Sequence, residues 1–463
     1  MDRRTFLKAA GSFAVFLPLA GSKAFAQDKK PYKGPFLICL NAEGGWDTTM
    51  FFDPKAGKSS KYNVTINTAY KEVKTLKGFS YAPVNFEYTT GGNTYHLHSP
   101  EEFLTNLGSR LRLFNGVDVA TNAHPVGNQN VWSGHVATAY PSLGAPLAAK
   151  ATQAPDMLPM PCAYITDVGA YTQTRGIVPA SRVLASGMRS IAYEKNFPRT
   201  GGTQLFTEDT NKSIADAHKE RVEQLRQQLL LPESKASLDS YDRAMLSKIG
   251  LERLAGELPS TSVTLNKLKP EIPTDVTTVN AALQQAELAL YGFQTGTMAS
   301  ASISFGGFDT HTNNNTEQKN RLGFLFVLIE YILDKAKALG VDNLYVLVGS
   351  DFGRPPFYND SKPNVEPDAA DGKSHWNVSS YMLFGPNIQG GVLGKTDDNL
   401  EAQFVNPKKP SELLPEKDGG VILKPSHLHY ALRERLGLAH YNSVYGLIDK
   451  SKPLNEGNKV SLL

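Results

Sequence analysis

The chain has 463 residues, 41% of them apolar, with 48 basic and 45 acidic side chains. That content supports a large core, in one big α/β domain or two smaller ones. The formal +3 falls to zero without residues 1–26, which carry Arg3, Arg4, Lys8 and Lys23 against Asp2. A neutral remainder without basic runs argues against nucleic acid as a partner. Only Cys39 and Cys162 are present, which excludes a disulfide framework or a cysteine-rich zinc site. Cys39, inside an apolar run, reads as a buried thiol.

In chain order, a basic opening (Arg3-Arg4-Thr5-Phe6-Leu7-Lys8), a short apolar stretch from Phe13 and Ala24-Phe25-Ala26 read as a signal peptide over 1–26,. The stretch is too short to be a stable anchor. Its paired arginines followed by x-Phe-Leu-Lys look like a twin-arginine signal, so the expected location is periplasmic or exported. No later run predicts a membrane anchor.

Phe36 to Leu40 reads as a strand buried on both faces, ending at Gly44-Gly45-Trp46-Asp47-Thr48,. Glycines there allow a sharp turn close to a ligand and make Asp47 a candidate metal ligand. Ser99-Pro100-Glu101-Glu102 predicts a helix start with a capping box. Leu111 to Val117 is a second buried strand. After it, Trp132-Ser133-Gly134 is expected to lead into a short helix. A serine at such a start suits either an oxygen nucleophile or a plain cap.

Residues 145–200, rich in Pro, Gly, Thr and Ser, read as loop-dominated. Helical spacing over 213–231, 237–258 and 275–294 completes a cap or insertion at about 145–296. Ala301 to Phe305, the helix 317–339 and Asn343 to Val348 then form a βαβ unit. Its right-handed crossover makes the strands parallel and brings Asp309, His311, Asp351 and Arg354 to one carboxyl edge. His375 precedes another apolar run, Tyr381 to Phe384. A C-terminal helix follows Pro425, with Ser426 as its expected cap. His427 and His429, two apart, point differently on it and are left out of the site.

Carboxylates and imidazoles gathered at strand ends are the ligands of a hard or borderline divalent cation: Asp47, Asp309, His311, Asp351 and His375. Arg354 offers a fork for an anionic substrate.

These residues resemble the domain of unknown function 1501 family, grouped with the alkaline-phosphatase-like superfamily. The matching features are the leader, Gly44-Gly45-Trp46-Asp47, Leu97-His98-x-Pro100, Gly307-Phe308-Asp309-Thr310-His311, Ser350-Asp351-Phe352-Gly353-Arg354, and His375 ahead of Gly390-Gly391. The resemblance implies an alkaline-phosphatase-like α/β domain over 27–463, with a mostly parallel sheet flanked by helices. It also implies one or two ions of zinc, manganese, calcium or magnesium. Asp47, Ser133 and Asp351 would surround one, and Asp309, His311 and His375 the other, with Ser133 or Thr48 as nucleophile. The implied activity is hydrolysis of a small phosphate or sulfate ester. The alternative is a non-catalytic periplasmic binding or assembly protein that holds an exported partner.

Overall fold

In a computed structural model, the described residues are 32–136, 140–153, 163–164, 208–228, isolated positions between 231 and 259, 261–368, 370–441 and 462–463. The leader, most of 145–200, most of the 237–258 helix and Cys162 lie outside them. The sheet strands are β1 (Phe36–Glu43), β2 (Arg112–Asp118), β3 (Ala163–Tyr164), β4 (Ser300–Gly306), β5 (Leu344–Gly349), β6 (Val378–Phe384) and β7 (Gly391–Leu393). They are ordered β7-β2-β6-β5-β1-β4-β3. β1 lies parallel to β4 and β5 in the centre, and β6 alone runs antiparallel to its neighbours. The expected α/β architecture, a mostly parallel sheet flanked by helices, is what the chain forms.

The helices that matter here are α1 (Pro100–Leu107), α2 (His124–Ser133), α3 (Gly144–Gln153), α4 (Glu208–Gln228), α5 (Thr277–Gln294), α6 (Asn314–Ala338) and α7 (Pro425–Arg435). β1 is buried at every position but its last, as its continuous apolar run requires of a strand covered on both faces,. On one face Ile38, Leu40 and Ala42 pack with Leu283 and Leu290 of α5 and Phe326 and Ile329 of α6. Phe326 stacks on Phe103 of α1 with ring centroids 4.0 Å apart. On the other face Leu37 and Cys39 pack with Trp132 of α2, Leu147 of α3 and Leu432 of α7. The Ser99 capping box forms: Ser99 Oγ accepts from Glu102 N, and Ser99 N donates to Glu102 Oε2 at 2.8 Å.

Two boundaries differ from expectation and both shape the site. Ser133 does not open a helix; it closes α2, which starts nine residues earlier at His124 with Pro125 in its first turn, where a missing N–H costs nothing. Likewise α7 starts at Pro425, so Ser426 sits inside the first turn and Lys424 N donates to His427 Nδ1. No helix among the described residues is long and apolar enough to cross a membrane.

Candidate metal centre

β1, β4 and β5 end at one edge, and their loops interlock there. Gly44 and Gly45 have φ of +119° and +91°. A Cβ on Gly44 would lie 2.4 Å from Asp309 N, and one on Gly45 2.6 Å from the Phe352 ring. Only glycine permits both the backbone conformation and the approach. Gln318 of α6 pins the same loops: its Oε1 accepts from Asp47 N, and its Nε2 donates to Phe308 O and Thr310 Oγ1 at 3.0 Å. Two further elements reach this edge. β2 is parallel to β5, so α2 begins here with His124. β6 runs the other way, so His375, just before it, arrives where the parallel strands finish.

His124, Asp309 and His375 each offer one ligand atom, and these atoms lie within 4.8 Å of one another. His124 Nε2 is 3.5 Å from Asp309 Oδ2. His375 Nε2 is 3.2 Å from Asp309 Oδ1, and His311 Nε2 is 3.0 Å from His375 Nε2 and 3.1 Å from Asp309 Oδ1. Tetrahedral bonds of about 2.0–2.1 Å place neighbouring ligand atoms roughly 3.3 Å apart, a spacing that the three contacts with the Asp309 carboxylate match.

The outer contacts decide which nitrogen faces inward. His375 Nδ1 lies 2.8 Å from Asn122 O, and His124 Nδ1 lies 2.5 Å from Asp351 Oδ2. Carbonyl and carboxylate oxygens only accept, so both Nδ1 atoms donate and both neutral rings turn a lone pair inward at Nε2. This is the carboxylate–histidine arrangement that orients metal ligands. Asp351 is fully buried and accepts from Gly44 N at 2.8 Å through its other oxygen. The Asp351 hydrogen bond, opposed by burial, raises the His124 pKa. Burial pushes Asp309 up, but the Arg354 hydrogen bond and the contact with His375 outweigh it and hold the carboxyl below its ordinary range. Burial pulls His311 down despite Asp309 beside it. Phe352 backs the cluster, its ring centroid 4.3 Å from that of His375 and 4.7 Å from that of His124.

Of the residues singled out in the sequence, Asp309, His311, Asp351 and His375 meet at this cluster, with Asp351 acting through His124. Asp47 faces elsewhere: its Oδ2 lies 2.9 Å from Lys373 Nζ and accepts from Asn314 Nδ2, while Oδ1 accepts from Thr49. Arg354 is fully buried and donates to five backbone carbonyls, of Gly44, Gly45, Phe308, Lys373 and Ser374, and to Asp309 Oδ1 at 2.8 Å. Its fork binds the loops together, leaving no donor for substrate. Ser133 Oγ donates to Gln129 O at 2.6 Å, one turn back in α2, and nine residues separate it from His124, roughly 13 Å of helix. Thr48 lies in the buried turn Thr48–Met50. The candidate ligand missed in the sequence is His124, and its signal was the His124-Pro125 pair, a helix start just beyond a buried strand. Lys373 was missed as well.

The family model described as Protein of unknown function (DUF1501) matches residues 35–444. No curated protein matches the chain. Among solved structures, the chain is similar to the alkaline phosphatase of the Antarctic bacterium TAB5, at 12% identity and a TM-score of 0.29, covering 79% of this chain and 95% of that one. It is similar to the lipoteichoic acid synthase LtaP from Listeria monocytogenes at 10% identity and a TM-score of 0.29, covering 82% and 75%. It is also similar to the PsFucS1 sulfatase from Pseudoalteromonas sp., at 10% identity and a TM-score of 0.27, covering 86% and 70%. At those TM-scores none of them bears on the chemistry of this chain.

Proposed function

The chain belongs to the DUF1501 family, and we propose that this member is an exported, metal-dependent hydrolase of phosphate or sulfate esters. One observation carries the metal: His375 Nε2 and Asp309 Oδ1, both acceptors when the ring is neutral, lie 3.2 Å apart, with His124 Nε2 and His311 Nε2 beside them. A cation between acceptors gathered so closely relieves their repulsion, and the histidine and carboxylate set suits zinc or manganese.

In this reading His124, Asp309 and His375 hold the ion and His311 supports it from the exposed side. Asp351 and Asn122 O fix the two ring orientations, and Arg354 locks Asp309 to the β1 loop. An ion bound there supplies Lewis acidity and makes a water acidic enough to attack at neutral pH. Ser133, tied into its own helix end, has no part in the chemistry, and Thr48 is the hydroxyl of the two that stays at the sheet edge. The ester class follows the family resemblance, and export follows the leader over 1–26.

The test is metal content and turnover on an ester panel for protein exported by its own host. Turnover lost on chelation, restored by one ion and absent in folded Asp309→Ala and His375→Ala variants supports the reading. Unchanged turnover in both variants overturns it. The saturated Arg354 favours a second reading, a non-catalytic exported binding protein with the same ion, which metal-loaded protein inert across the panel would establish.

A further inference from the structure

We propose that the centre takes a single divalent ion, because the Lys373 ammonium already fills the place of a second cation against Asp47. The inference rests on the metal reading above and fixes its stoichiometry.

Asp47 and Lys373 are both fully buried, with Nζ 2.9 Å from Oδ2. Nζ also donates to Ile66 O at 3.0 Å and lies 4.9 Å from the centre of the Tyr358 ring. A carboxylate, a carbonyl and an aromatic face satisfy a buried ammonium fully. The carboxylate is equally full. Thr49 N and Oγ1 donate to Oδ1, and Asn314 Nδ2 joins Lys373 at Oδ2. No lone pair of Asp47 remains for a metal.

Charge gives the same answer. Asp47, Asp309 and Asp351 meet two fixed cations, Lys373 and Arg354, which leaves one negative charge when the histidines are neutral. One divalent ion turns that into a single positive charge, suited to an anionic ester. Two ions would leave three uncompensated positive charges beside Asp47, Asp351, Arg354 and Lys373, all four fully buried, a heavy desolvation cost. Lys373 also seats a ligand: its carbonyl accepts from Arg354 Nη1 at 2.8 Å, and His375 follows two residues later.

The experiment is metal stoichiometry by mass spectrometry after dialysis against excess zinc and, separately, manganese. Wild-type protein is expected to hold one ion per chain. The double variant Asp47→Asn/Lys373→Met removes both charges together and is expected to keep that ion with affinity within about threefold, since neither side chain is a ligand. Two ions in wild-type protein, or loss of the ion from the folded double variant, overturn the inference and leave the hydrolase reading standing. Wild-type protein that binds no ion overturns both. Wild-type stoichiometry alone decides the matter if the double variant does not fold.

Discussion

Replacing Asp351 by asparagine probes the site through a single proton. Asp351 Oδ1 accepts from Gly44 N at 2.8 Å and Oδ2 accepts from His124 Nδ1 at 2.5 Å. An asparagine must keep its carbonyl toward Gly44 N, so its NH2 faces His124 Nδ1. That ring nitrogen then has to accept, the proton moves to Nε2, and His124 loses the lone pair it would give to an ion. Losing an oriented outer partner costs metal affinity about 10–100-fold, or about 1.4–2.8 kcal/mol at 1.4 kcal/mol per tenfold. Competition against a chromophoric chelator reads this directly, with circular dichroism confirming the fold. Affinity within twofold of wild type would refute the assignment of Asp351 as the orienting partner.

Arg354→Met should leave several buried carbonyls unpaired, and at about 1–3 kcal/mol each the urea-unfolding free energy should fall by at least about 4 kcal/mol; a loss under about 1 kcal/mol contradicts the loop-locking role. Ser133→Ala should keep turnover within roughly threefold, because its hydroxyl is spent on Gln129 and the His135 backbone at the end of its own helix,; a collapse of activity in folded protein would restore it as nucleophile. In metal-free protein the raised His124 pKa adds stability that is present below about pH 6.5 and is lost as pH rises through the raised value. The lowered Asp309 pKa adds stability present above about pH 3.9 and lost as pH falls through the lowered value. Urea midpoints should therefore drop as pH rises above about 6.5 and through the raised value,, less so in Asp351→Asn, and equal slopes would contradict the His124–Asp351 pairing. Ion binding near pH 6.5 should release protons from His124, readable as a buffer-dependent heat in calorimetry.

The central strands were legible because their apolar runs are continuous, and the βαβ unit because 25 helical residues separate β4 from β5. Its chirality then placed Asp309 and Asp351 at one edge without any knowledge of contacts. The direction of β6 was legible too, though it went unread. No helical pattern spans 355–377, so nothing could carry the chain back for a parallel strand, and β6 had to return antiparallel. Side-chain roles were harder to see. Asp47, Arg354 and Ser133 have the residue types of a catalytic site, yet each is spent on internal partners. Lys373 gave no signal, since a lysine in a polar loop reads as solvated. What separates a ligand from a buried brace is the accounting of donors and acceptors, and that exists only once distant loops meet. His124 is the reverse case: its helix start was written in Pro125, but Ser133 and Trp132 drew the helix to the wrong end.

Anomalous diffraction from crystals of zinc-loaded protein locates the ion itself. One peak is expected, about 2.0–2.2 Å from His124 Nε2, His375 Nε2 and a carboxylate oxygen of Asp309. A peak seated on Asp47, with none among those three side chains, would contradict it.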